Sequence, residues 1–124
     1  MSANNANHGD SDVERWYSGY LVVRNISDDL ARQIADVAKD TPIFEAYANA
    51  VEVEYRGRDT NRFVVRALIR LARMIENADG EVQCQVSGDG TEVRFEFYRI
   101  REGRLFRQLG EIVRQSEHEV TDPI

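Results

Sequence analysis

The chain is short of the residues that most enzymes rely on. It has one cysteine (Cys84), one lysine (Lys39) and two histidines (His8 and His118). A single cysteine excludes an internal disulfide framework and fits a reducing compartment. General acid–base and nucleophilic catalysis usually draw on a histidine, an activated thiol or serine, or a tuned lysine. Here both histidines fall in segments read as tails, and Lys39 lies near an exposed helix end. Cys84 takes an inward strand position, where a small apolar residue is ordinary. There is no Gly-x-Gly-x-x-Gly, phosphate loop or CxxC motif. The expectation is a protein without catalytic activity, with no cofactor and no metal. His8, Asp10 and Asp12 are metal-ligand types, but a polar tail supplies no outer shell to orient them. Apolar runs are also short: none approaches the ~20 residues that span a bilayer. The first residues lack a basic-then-apolar leader. No membrane partner is expected, and the expected address is cytoplasmic.

What is present describes one folded unit. The 124 residues are 42% apolar and 31% charged, enough for a single hydrophobic core. The net charge is −6, which argues against a general nucleic-acid binder. Its distribution is uneven. Residues 1–55 hold 4 basic and 10 acidic groups, residues 56–114 hold 12 and 9, and residues 115–124 hold 0 and 3. The middle is basic and both ends are acidic. Residues 1–12 and 116–124 read as a disordered tail and an acidic flexible tail, leaving 13–115 as the single domain.

The organising stretch is Thr60 to Asn77. At about 100° per residue, Arg62, Arg66, Arg70 and Arg73 share a narrow strip, and apolar residues cover most of the remaining circumference. Such a helix must be buried on most sides. Thr60 or Asp59 is its expected cap, and Asn77-Ala78-Asp79-Gly80 its expected stop. A first strand is expected over Trp16 to Arg24, from its aromatic and β-branched content. Ser27 then caps a helix whose first turn holds Asp28 and Asp29, with Leu30, Ile34 and Val37 as its apolar seam. Asp40-Thr41-Pro42 ends it. Ile43 to Tyr47 is open between a short strand and a loop. Val51 to Tyr55 alternates strictly and predicts a half-buried strand, and Val82 to Val86 does the same. Beyond a turn at Ser87-Gly88-Asp89-Gly90, Thr91 to Arg101 places Val93, Phe95 and Phe97 inward against Glu92, Arg94, Glu96 and Tyr98. Glu102-Gly103 is a second tight turn into a strand over Leu105 to Arg114, with Gly110 a candidate bulge.

The fold class that follows is α+β: a two-layer α/β sandwich with a mixed, mostly antiparallel sheet and two helices on one face. If 43–47 is a strand, the first six elements match a ferredoxin-like split β-α-β unit with a C-terminal hairpin extension. Two surfaces are candidates for binding. Arg62, Arg66, Arg70 and Arg73, extended by Arg58, form a ridge suited to phosphates or an acidic partner; the bland alternative is the exposed strip of a mostly buried helix. The open sheet face, expected to carry Tyr20, Glu52, Glu54, Arg94, Glu96 and Tyr98, suits a protein partner or simply water. Its glutamates would repel phosphates, and the Lys/Arg-Gly-Phe-x-Phe signature of RNA-recognition sheets is absent. The functional expectation is a small interaction or regulatory module that binds a protein, itself included. The alternative is an accessory nucleic-acid-binding protein that uses the arginine strip.

Overall fold

The computed structural model describes residues 13–87 and 94–111. The expected tails and the turn at 88–90 lie outside them. The elements run β1 (Glu14–Val22), α1 (Asp28–Val37), β2 (Phe44–Ala46), β3 (Ala50–Arg58), a short 3-10 turn (Thr60–Arg62), α2 (Phe63–Ile75), β4 (Val82–Ser87), β5 (Arg94–Arg101) and β6 (Arg104–Glu111). The open six-stranded sheet has the order β2-β3-β1-β4-β5-β6. Every pairing in it is antiparallel. The class is therefore α+β. The undecided segment resolves as a strand: Phe44–Ala46 pairs with β3 along Val53–Val51.

β1 is the central strand and shows why the sheet has two unlike faces. Tyr17 and Leu21 are buried, while Trp16, Tyr20 and Val22 at the alternate positions are exposed. Successive side chains point to opposite faces, so Tyr17 and Leu21 share one side with their register partners Tyr55, Val51 and Cys84, and with Val82 opposite Gly19. These join Ile34 of α1 and Val64, Ala67, Leu68, Leu71, Ala72 and Ile75 of α2 in one hydrophobic cluster. The buried positions of α2 recur every three or four residues, the signature of one apolar helix face. Burial is narrower than the sequence suggests, because Ile69 is exposed and Phe63, Val65 and Met74 are only half-buried. α1 starts as expected: Ser27 Oγ accepts the Leu30 N–H at 3.1 Å.

The start and stop of α2 differ from the expectation. The helix begins at Phe63, because Asn61 and Arg62 adopt left-handed φ of 57° and 54°. It stops at Glu76, whose φ of 63° turns the chain well before Gly80. β3 also runs through Arg56 and Arg58, so these two lie on the sheet. The second hairpin is as expected. Glu102 and Gly103, both at positive φ, link Arg101 to its partner Arg104, the two-residue turn whose twist suits paired strands. The Gly103 N–H donates to Glu76 O at 2.8 Å and the Glu102 N–H to Asn77 Oδ1 at 3.0 Å. The turn is thus tied to the end of α2.

Two glycines permit close approach. A Cβ on Gly19 would stand 2.4 Å from the Glu81 carbonyl oxygen; that atom belongs to the neighbouring backbone and cannot swing aside. Gly19→Ala is expected to cost about 2–3 kcal/mol through this overpacking, read as a lower urea midpoint with an unchanged slope. Gly110 is no bulge. It sits opposite Phe95 in an unbroken register, and a Cβ there would meet the Phe97 ring at 2.7 Å.

Candidate functional site

β5 has the opposite phase from the one its N-terminal alternation suggests. Tyr98 and Ile100 are buried and Glu96 nearly so. Their parity is that of Cys84 and Val82, the positions facing Glu96 and Tyr98 across β4. Glu96 and Tyr98 therefore leave the open face, and so does Arg94, opposite inward Val86. The physical reason is that Ile100 and Tyr98 meet the core, which outweighs the half-apolar pattern of Phe95 and Phe97. Those two rings take the other face and stack with centroids 6.1 Å apart and 21° between planes.

The displaced residues build a buried polar cluster beneath the start of α2. Asp59, 1% exposed, accepts the Tyr17 hydroxyl at 2.7 Å and the Val64 N–H at 2.9 Å. Arg62 Nε lies 3.4 Å from the same carboxylate. The left-handed backbone at Arg62 turns this arginine away from the helix strip and toward β5. There its guanidinium donates to Glu96 at 3.3 Å and to the Tyr98 hydroxyl at 3.1 Å. Tyr98 in turn donates to Glu96 at 2.6 Å, and Arg15, 2% exposed, stands 3.5 Å from Glu96. Among the described residues two arginines thus meet two carboxylates, the pairing that makes buried charge tolerable. Burial, then the hydrogen bond to Asp59, raises Tyr17 well above its ordinary pKa. Burial and Glu96 do the same to Tyr98. Burial, with Glu96 nearby, pushes the Cys84 thiol up to about 12. That thiol is protonated at neutral pH and is no nucleophile. The cluster ties strand ends to helix start. Among the described residues no group of three or more His, Cys, Asp or Glu is arranged to hold a metal ion.

The helix strip is consequently shorter than expected. Arg66, Arg70 and Arg73 remain exposed on α2. Arg62 has turned inward, and Arg58 sits on β3 opposite Glu14. Arg70 donates to Val37 O, at the end of α1, at 3.4 Å. A shallow cleft of about 560 Å³ lies here, lined in part by Arg66, Arg70, Lys39, Asp36 and Asp40. Two acids stand among its three bases, so it presents little net field to an anion.

The open face retains Tyr20, Glu52 and Glu54 of the expected set and gains Trp16, Phe95, Phe97 and Phe106. Carboxylates fix the aromatic tips. Glu54 accepts the Trp16 indole N–H at 2.8 Å. Glu52 accepts the Tyr20 and Tyr47 hydroxyls, both at 3.2 Å. The Glu52 contact also raises the Tyr20 pKa. Arg56 lies over the Trp16 ring at 5.1 Å and pairs with Glu14 at 3.2 Å. On the far side Arg101 lies over Phe106 at 3.8 Å, and Arg99 pairs with Glu81 at 2.9 Å. The charge is uneven: Glu45, Glu52 and Glu54 on the β2–β3 side are joined by Arg56 and Arg58, while the β5–β6 side carries Arg99, Arg101 and Arg104, with Glu81 beside Arg99. Trp16 and Tyr20 are 41% and 55% exposed, large apolar areas held rigid in water.

Sequence reasoning missed Arg15, Trp16 and the phenylalanines Phe95, Phe97 and Phe106. Starting β1 at Trp16 left Arg15 outside the strand, although it shares parity with Tyr17 and Leu21. Ile100, four residues from Glu96, was the signal that fixes the phase of β5.

Comparison with protein-family models, with characterised proteins and with solved structures found no match. Among the described residues no helix is long and apolar enough to cross a membrane.

Proposed function

We propose that this chain is a small protein-interaction module that works through its open sheet face. The reading includes a ferredoxin-like split β-α-β unit with a hairpin extension and both helices on the covered face. The strand order β2-β3-β1-β4 of the first four strands supports it. The single observation that carries the function is the set of exposed aromatics held by carboxylates: Trp16 on Glu54, and Tyr20 with Tyr47 on Glu52. Ordered aromatic area is what protein interfaces use as anchors, since little side-chain entropy remains to be lost on binding. The strip of Arg66, Arg70 and Arg73 favours a second reading, an accessory nucleic-acid contact. Arg66 and Arg73 make no ion pair with any described residue, and no acid interrupts the strip.

One experiment separates them. A photo-crosslinking residue is placed at Gln83, centrally on the open face, or at Arg70 on the helix strip, in the native cell. Discrete protein products from Gln83, unchanged by nuclease, are expected. A nuclease-sensitive product from Arg70 alone, with nothing from Gln83, would move the function to the arginine strip.

A further inference from the structure

We infer that the partner of the open face is a second copy of this chain, seated face to face about a two-fold axis parallel to the strands between β1 and β4. This rests on the reading of that face as an interaction surface. Such an axis sets β3 of one copy over β5 of the other, and β1 over β4. The strand registers then decide which residues meet. Val53, Gly19, Val82 and Tyr98 lie in one row across the sheet. One step along the strands, on the open side, the row reads Glu52, Tyr20, Glu81, Arg99. The two-fold therefore places Glu52 of each copy opposite Arg99 of the other. Two open-side rows back in the other direction, Arg56, Trp16, Gln85 and Phe95 form a line. There Arg56 meets the other copy's Phe95 ring, a cation–π pairing, and Trp16 meets Gln85. The half of net negative charge of one molecule, β2-β3-β1, thus covers the half of net positive charge of the other, β4-β5-β6, twice over.

Charge chooses the occupant. The open face bears Glu14, Glu45, Glu52, Glu54 and Glu81 against Arg56, Arg58, Arg99, Arg101 and Arg104. A face with balanced signs offers no counterion release to a phosphate backbone. Its β2-β3-β1 half carries Glu14, Glu45, Glu52 and Glu54 with Arg56 and Arg58, and its β4-β5-β6 half Arg99, Arg101 and Arg104 with Glu81, so halves of opposite net sign complement each other under a two-fold, the commonest symmetry of protein dimers. The size is adequate. Five strands of six residues or more and the three-residue β2, about 4.8 Å apart and about 3.4 Å per residue, make a face at most roughly 25 by 20 Å. With side-chain relief this approaches the ~800 Å² per partner of a standard interface. Sheets stacked this way cross at about 30° and about 10 Å apart.

The test is a charge-swap cycle read by sedimentation equilibrium from micromolar to submillimolar protein. Wild type is expected to dimerise. Glu52→Arg sets arginine against Arg99 at both contacts, and Arg99→Glu sets glutamate against Glu52 at both. Each variant alone is expected to weaken association ~10-fold or more. In an equimolar mixture both contacts become opposite in sign. The mixed dimer is expected to recover to within about threefold of wild type. Ser18→Arg, beside the axis, blocks association by bulk and charge without touching either pair, and keeps the test alive if a swap variant loses its circular-dichroism signature. A monomeric wild type overturns the second-copy assignment; so does a mixture no tighter than its separate variants, or swap variants that dimerise like wild type. The interaction reading fails separately, when the residue at Gln83 crosslinks to nothing in the cell.

Discussion

Asp59→Ala is expected to lower the unfolding free energy by about 4 kcal/mol, since breaking a buried ion pair by removing one partner costs roughly 3–5 kcal/mol. The loss comes from what Asp59 leaves behind. The Tyr17 hydroxyl, fully buried, would lose its acceptor at 2.7 Å. The Val64 N–H, one of the free donors at the start of α2, would lose its acceptor at 2.9 Å. Arg62 would keep Glu96 but lose the carboxylate 3.4 Å from its Nε. A domain of this size is stable by about 5–15 kcal/mol, so the variant would sit near its folding threshold. Asp59→Asn should retain the contact to Val64 and lose the charge, at about half the cost. Urea unfolding of the three proteins with a common slope is the measurement. A loss below about 1 kcal/mol for the alanine variant would mean that solvent, not Asp59, serves these donors. Tyr17→Phe completes a double-mutant cycle, in which coupling with Asp59→Ala should appear as strong non-additivity.

Asp59 also shows where the sequence was readable and where it was not. Periodicity found both helices, the strand at 51–55, the strand at 82–86 and the Glu102-Gly103 turn, because each is set by local spacing. It named Asp59 as a candidate cap but could not show a carboxylate shared among a helix N–H, a phenol and a guanidinium. Tyr17 and Arg62 are 42 and 3 residues away. The arginine strip failed at Arg62 for a related reason. Wheel geometry assumes continuous helix, and a left-handed residue at φ 54° ends that assumption. β5 failed because both parities carry apolar residues, Phe95 and Phe97 on one and Tyr98 and Ile100 on the other. Only long-range pairing chooses between them: Ile100 and Tyr98 meet the core, and Glu96 meets Arg15 and Arg62. A slip of one residue exchanges the faces of a strand, so a single misjudged phase moved three candidate residues off the open surface and hid two aromatics that belong to it.

The same buried groups should make the fold sensitive to alkali. Tyr17, Tyr98 and Cys84 are acids whose neutral forms are favoured by burial, each next to a carboxylate that disfavours a second negative charge. In the unfolded chain a thiol titrates near about 8.5 and a tyrosine near about 10. In the native protein all three keep their protons to higher pH, Cys84 to about 12. Above about pH 8.5 the unfolded state therefore binds fewer protons than the native state, and stability falls as pH rises. Each group contributes about 1.4 kcal/mol per pH unit once its unfolded pKa is passed. Cys84 acts alone at first, and all three act above about pH 10. The summed loss should reach roughly 6 kcal/mol by about pH 11, with stability unaffected by these groups below the unfolded thiol pKa. Urea midpoints taken at half-unit steps from neutral pH upward would trace the curve, and tyrosinate absorbance would show late, cooperative ionisation. Tyr98→Phe should begin less stable, having lost its hydroxyl's bond to Glu96, yet fall less steeply, by the equivalent of one proton. An unchanged slope in that variant would mean that Tyr98 ionises in the folded protein as readily as in the unfolded one, and would break the link between the buried cluster and alkaline unfolding.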